Sequence, residues 1–359
     1  MKPIRLLAIT ALMLPMTTRN LSAQTQIVFS VRSWEGDYSS HDIAHGVAQS
    51  AHTDAIFFVN ADGTGLRQVK TSVTSPYSPA CSPDGKWLYF QALTDGLCNL
   101  YRCRLDGTGI QNLTVDQKLG KESYGLTVCK DGRILYTVHD GTTGRGAIMD
   151  ADGQHPRIIA PDIGYYYMAA LGPDGQRIVF SHTAEGYTLK TIGLDGTGLL
   201  ALTPGQAECF CGHYTADGKW IVFFRRDGDV YRVGSDGTGF QRLTTGNGTG
   251  AFKLTAKDEH GGSDPPDIAP DGKHIAYTRL VDGIAQVFVM NLDGSDPRQL
   301  TKLPGYCGVV KWNPNGQQIA FVSFVGAWPQ LLVIEATGGE PKQLTDLKGA
   351  VRFLSWKAR

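Results

Sequence analysis

The chain has 359 residues, of which 42% are apolar, 19% charged and 9% aromatic, with 34 basic side chains against 34 acidic. That apolar share suffices for a large core, so disordered, collagen-like and coiled-coil chains are excluded, and the balanced charge implies neither nucleic acid nor an anionic membrane surface as partner. Glycine, at 44 residues or about 12% against a usual ~7%, favours many short strands and tight turns over long helices.

Lys2 and Arg5 precede an apolar run from Leu6 to about Met16, and Leu21-Ser22-Ala23 follows it. This is the pattern of a secretory signal over residues 1–23, too short to span a bilayer. Cleavage after Ala23 leaves 336 residues with 31 basic and 34 acidic groups, a single domain over 24–359. No other run is long and apolar enough to anchor it. The expected product is periplasmic or secreted, monomeric and not membrane-spanning.

The mature start alternates as a strand over 26–31, with others at 55–60 and 66–69. Between the first two lies an insertion, Ser33 to Asp54, that holds His41, His45 and His52. If Ser39 or Ser40 caps a short helix, the three imidazoles fall within roughly 40° of one another, with Ile43, Val47 and Ala51 on the opposite side. Two histidines a turn apart can share a metal, with Asp42, or with Asp258 and Glu259 beside His260 of a later insertion. The competing reading is the solvated polar face of a lid helix. No cofactor is firmly implied; a divalent metal is the one candidate.

From here the chain repeats about every 46 residues. A strand ending in Asp-Gly-Thr-Gly and followed by a short Leu-Thr strand recurs from Asp62, Asp106, Asp195 and Asp236, with variants from Asp152, Asp293 and Thr337. Between these stands a Pro-Asp-Gly-type turn before an alternating strand, centred on Asp84, Asp131, Asp174, Asp217, Asp271 and Asn315. Asp-Gly supplies the positive φ that hairpin turns require. Each unit reads as four strands, in one copy 264–269, 273–278, 286–291 and 297–301. Four-stranded antiparallel units at this period specify an all-β fold, a β-propeller.

Complete units start near Tyr77, Tyr124, Tyr167, Phe210, Asp264 and Gly308. The unit opened by 26–31 lacks a first strand, and 350–356 at the far end supplies one by its match to 309–312. Pairing the two closes the ring, giving a seven-bladed propeller, with six blades as the alternative. A second insertion, roughly Thr245 to Gly262, leads into the fifth complete blade and falls on the same face as the first. Such loops are where ligand contacts gather.

The two signatures, Ser82-Pro83-Asp84-Gly85-Lys86 and Val289 to Gly294, together resemble the TolB-type, WD40-like propeller repeat over essentially the whole mature chain. The resemblance implies a periplasmic propeller that binds another envelope protein. It lacks the α/β domain that TolB carries before its propeller, and has one more blade.

Seven residues before each turn Asp, where the first strand begins, stand Tyr77, Tyr124, Tyr167 and Phe210, then Asp264, Gly308 and, by alignment, Arg352. An arc of aromatics followed by a carboxylate suits a glycan or extended peptide; packing between blades is the other reading. His213, Glu122 and Glu208 lie on neighbouring segments. The seven cysteines include no zinc-type pair, and at least one must be free; small buried apolar residues are the simplest reading. No G-x-S-x-G elbow or phosphate-binding loop exists. The expected function is therefore an exported module that binds a protein segment or polysaccharide on its loop face. The alternative is a carbohydrate-active enzyme resembling the metal-dependent oligogalacturonate lyases, with His41, His45 and His260 as ligands.

Overall fold

The computed structural model describes residues 25–34, 52–115, 117–164, 166–245 and 265–357. Their strands form seven sheets of four antiparallel strands each, which we number as blades I to VII in chain order. Blade I is composite: Ala350–Trp356 is its inner strand and pairs antiparallel with Gln26–Trp34, so the two ends of the chain close the ring. The seven-bladed count and the closing pair match the sequence reading, and the six-bladed alternative falls. The other inner strands are Tyr77–Cys81, Glu122–Val128, Tyr166–Leu171, Cys209–Tyr214, Asp267–Ile268 and Cys307–Trp312.

The repeated residues explain themselves locally. In Asp-Gly-Thr-Gly the Asp carboxylate accepts from the Thr amide and hydroxyl two residues on, at 2.9 and 2.6 Å in Asp62–Thr64 and at 2.9 and 2.7 Å in Asp106–Thr108. In the Leu-Thr pair, Leu enters the core while Thr accepts an amide from the middle of the third strand: Leu100 N to Thr114 Oγ1 at 3.0 Å, Val287 N to Thr301 and Leu331 N to Thr345 at 2.9 Å. That hydroxyl in turn donates to a polar residue fifteen positions earlier, Asn99, Asp229, Gln286 or Gln330. The Thr relay thus satisfies polar groups that burial would otherwise leave unpaired, while the exposed Asp-Gly-Thr-Gly bonds fix the turn.

Blades bury their faces against each other. Val28, Ile56 and Phe58 of blade I pack with Leu88, Phe90 and Tyr101 of blade II, and Ile27, Phe29 and Val59 pack with Ala320, Val322 and Leu331 of blade VII. A basic side chain at the rim also donates to a turn carbonyl of the following blade. Arg67 reaches Leu105 O at 3.0 Å, Arg102 reaches Ala151 O at 2.9 Å, Arg157 reaches Leu194 O at 2.6 Å, and Lys342 reaches Asp62 O at 2.6 Å across the seam. Gly107, at φ +92°, lets its turn approach so closely that a Cβ there would stand 2.1 Å from Lys70 O.

Some expected boundaries move. Blade VI's inner strand is Asp267–Ile268 rather than 264–269, and its outer strand is Arg298–Gln299 rather than 297–301. His52 opens the strand His52–Asn60 and pairs with Trp34, so it does not sit on a helix with His41 and His45; hydrogen bonding across the hairpin carries the strand three residues past the expected start. None of the seven cysteines is in a disulfide; six are buried and Cys81 is half-buried, as small apolar residues would be.

Hydrogen bonds from Thr64 and Thr108 hold the Asp62 and Asp106 carboxylates below their ordinary range, and Asp195 and Asp236 follow suit. A carboxylate depressed in the native state contributes stability that is present above its unfolded pKa, about 4, and lost as pH falls through the native value. We expect replacement of Thr64, Thr108, Thr197 and Thr238 by Val to flatten the dependence of the urea midpoint on pH between about 2 and 4. An unchanged slope would remove these turns as its source.

Candidate ligand site in the channel

Six of the seven inner strands, all but that of blade VI, share one irregularity. Their register with the second strand slips between Tyr77 and Ala80, Tyr124 and Thr127, Tyr167 and Ala170, Phe210 and His213, and Gly308 and Lys311. Blade I slips at the matching place, opposite Phe29 and Ser30. At the bulge Ser78, Gly125, Cys211, Val309 and Phe353 have φ of 51°, 68°, 52°, 55° and 41°. For branched Val309 and bulky Phe353 this is strained backbone, of order 1–3 kcal/mol each, held by the pairing on both sides. Bulges bend a strand and re-aim the side chains around them. They divide the channel wall into an upper level, where the aromatic positions lie, and a lower level two residues past the bulge residue.

At the upper level the half-buried rings are each supported. Tyr77 bonds Cys98 Sγ through its hydroxyl at 3.2 Å and lies 6.3 Å from the Phe353 ring; burial, then Cys98, pushes its phenol up. Tyr124 tilts against His139 at 6.2 Å, with Glu122 3.9 Å from that imidazole. Phe210 packs on Tyr187 at 4.7 Å and Phe224 at 5.5 Å, and Arg226, paired to Glu208 at 2.7 Å, stands 5.8 Å from its ring. Arg352 lies 5.1 Å over Phe353, whose own ring is 42% exposed. Tyr77, Tyr124, Phe210 and Arg352 are thus brought to one level of the channel. Tyr167 shares that backbone position, but its side chain, like Asp264, lies outside the described residues.

The lower level is four residues before each turn. Blades I to IV present Ser355, Ala80, Thr127 and Ala170 there, whereas blades V, VI and VII present His213, Asp267 and Lys311. Asp267 accepts the Lys311 ammonium at 3.1 Å and the Trp312 amide at 2.7 Å. Burial pushes the His213 imidazole down to about 4, with Lys311 adding to the shift and Asp267 opposing it, so it is neutral near pH 7. Burial likewise pushes the Cys211 thiol up to about 12. Reading positions seven before the turn found the rings but missed Lys311 and Asp267; the same comparison made four before the turn exposes both.

Of the proposed metal ligands, His41, His45 and His260 lie outside the described residues. His52 stands 3.9 Å from Asp54, which is buried and held by Arg32 through two bonds of 3.0 and 2.8 Å. Among the described residues no group of three metal-ligating side chains occurs. The segments 35–51 and 246–264 join, respectively, second to third strand of blade I and fourth strand to the next inner strand, connections that leave the same face of a propeller.

No family model matches the chain. An uncharacterized protein of Agrobacterium fabrum is 25% identical over 262 residues, which cover 66% of this chain and 80% of that one. Among solved structures, TolB from Acinetobacter baumannii superposes with a TM-score of 0.56 at 15% identity, over 94% of this chain and 67% of its own. A puromycin-hydrolyzing peptidase of Mycobacterium tuberculosis gives 0.65 at 15% identity over 87% of this chain and 55% of the peptidase. An oligogalacturonate lyase in complex with manganese gives 0.57 at 16% identity over 74% of this chain and 75% of the lyase. Such identities speak to fold, and the fold of this chain is a TolB-type β-propeller of seven blades.

Proposed function

We propose that the protein is an exported binding module, periplasmic or secreted, that grips a protein segment or a polysaccharide at the channel mouth on the loop face. The observation that supports this reading is the arc of half-buried rings, Tyr77, Tyr124 and Phe210, at one register on inner strands, with Arg352 beyond them. Rings anchored on one side by packing keep the other side for stacking against sugar faces or peptide groups at small entropic loss. Export rests on the leader-like residues 1–23 and monomeric state on the closed ring.

The test is titration of the full chain with oligogalacturonates, neutral oligosaccharides and unfolded peptides, followed by intrinsic fluorescence. We expect Tyr124→Ala to weaken the bound class by about 1–3 kcal/mol while leaving the melting temperature within a few degrees. Strong destabilisation with unchanged binding would reassign the ring to blade packing. Manganese-dependent release of unsaturated uronate from oligogalacturonate would replace the binding reading by the lyase alternative, in which a cation on the sugar carboxylate acidifies the neighbouring proton.

A further inference from the structure

The lower level of the channel is polarised in a way that the mouth does not explain. On four blades it is Ser, Ala or Thr, and on the three consecutive blades V to VII it is an imidazole, a carboxylate and an ammonium at one register. Asp267 is committed twice, to Lys311 and to the Trp312 amide. Lys311 spends one of its three N–H donors on that carboxylate, and its side chain remains 30% exposed. The His213 imidazole takes no hydrogen bond among the described residues; the charges acting on it are Lys311 from blade VII and Asp267 from blade VI. Unspent donors therefore flank Asp267 from both neighbouring strands.

We infer that His213 and Lys311 form a carboxylate-binding site at the channel waist, which takes up one proton from solvent onto His213 as the anion binds. This deepens the binding reading, because it names the charged group that a ligand stacked on the rings would carry inward. The charges balance: Lys311 and protonated His213 face Asp267 and the bound carboxylate, two against two. Without an anion His213 is held neutral first by burial and then by the Lys311 charge, with Asp267 opposing both. An arriving anion reverses that balance and draws the proton on.

Linkage then fixes the sign. A group whose pKa rises on binding makes affinity increase as pH falls, by up to tenfold per pH unit between its bound and free values. The probe is sodium acetate, compared at equal ionic strength with phosphate and chloride, with the His213 ring proton followed by NMR in the full chain and assigned through His213→Gln. We expect acetate to raise the His213 pKa from about 4 by at least one unit, and calorimetry in buffers of different ionisation enthalpy to show proton uptake near pH 5. Lys311→Met should weaken acetate at least tenfold. The wild-type calorimetry stands on its own if that variant fails to fold. A His213 pKa untouched by acetate, or moved equally by chloride or phosphate, overturns the site. Trigalacturonate acting at tenfold lower concentration than acetate identifies a chain-borne carboxylate, and parity identifies a free small acid. Tyr124→Ala should leave the acetate effect intact, so loss of mouth binding alone sinks only the earlier reading, and loss of the acetate effect alone sinks only this one.

Discussion

Truncation after Gly349 is expected to abolish cooperative unfolding. It removes Ala350–Trp356, whose partners Ile27 to Arg32 become an open edge, and it strips Val351 and Leu354 from the cluster they share with Phe29, Val59, Val322 and Leu331. Each fully buried aliphatic side chain contributes roughly 1.5–3 kcal/mol, so Val351 and Leu354 together, with the lost strand pairing, approach the lower end of the 5–15 kcal/mol by which a domain is stable. Urea denaturation followed by fluorescence measures this directly, and the single change Leu354→Ala should cost about 2–5 kcal/mol. A peptide spanning residues 350–357, added back in excess, should restore the transition. A truncated chain that melts within a few degrees of the intact one would show that the seam contributes little.

The next largest effect is expected at Asp229. Its side chain is 2% exposed, paired to Arg242, and accepts the Thr244 hydroxyl at 2.7 Å. Asp229→Ala leaves the hydroxyl without its acceptor and takes the carboxylate from Arg242, which keeps the Thr244 carbonyl at 2.9 Å and is partly exposed, so a loss of about 2–3 kcal/mol is expected by chemical denaturation. Blades VI and VII fill the same place with Gln286 and Gln330, each bonded to its Thr at 2.8 Å. Asp229→Gln should therefore lose only about 1 kcal/mol or less, because it restores the acceptor in a geometry the fold already uses. Equal losses in the two variants would mean that the charge, not the acceptor, is what matters there.

The ring was legible because turn chemistry is legible. Asp84-Gly85 and Asp106-Gly107 stand where the backbone needs positive φ, and the structure places Gly85 at 66° and Gly107 at 92°. The closing strand was readable for a similar reason, since 350–356 repeats the pattern of another inner strand. The inner-strand bulge left no such trace. Its strained position is filled by Ser78, Gly125, Cys211, Val309 and Phe353, which share no chemistry, because the pairing around them rather than their own preference sets the conformation. The waist went unread for a different reason. Asp267 and Lys311 look like solvated charges in sequence, and only the register across three blades puts them beside His213. His52 misled because helical spacing from two earlier histidines does not by itself keep a residue out of a strand, and pairing with Trp34 decides the matter at His52.

The outermost strand of every blade is two residues long; in Arg67–Gln68, Gln241–Arg242 and Lys342–Gln343 both residues are exposed and one is basic. A foreign β-segment approaching the perimeter finds too few free amides and carbonyls to zip onto, and meets a basic residue on five of the seven blades. Molecules of this protein can thus be crowded together in a confined compartment without stacking edge to edge into fibrils, and traffic with other molecules is left to the two flat faces and the bore between them.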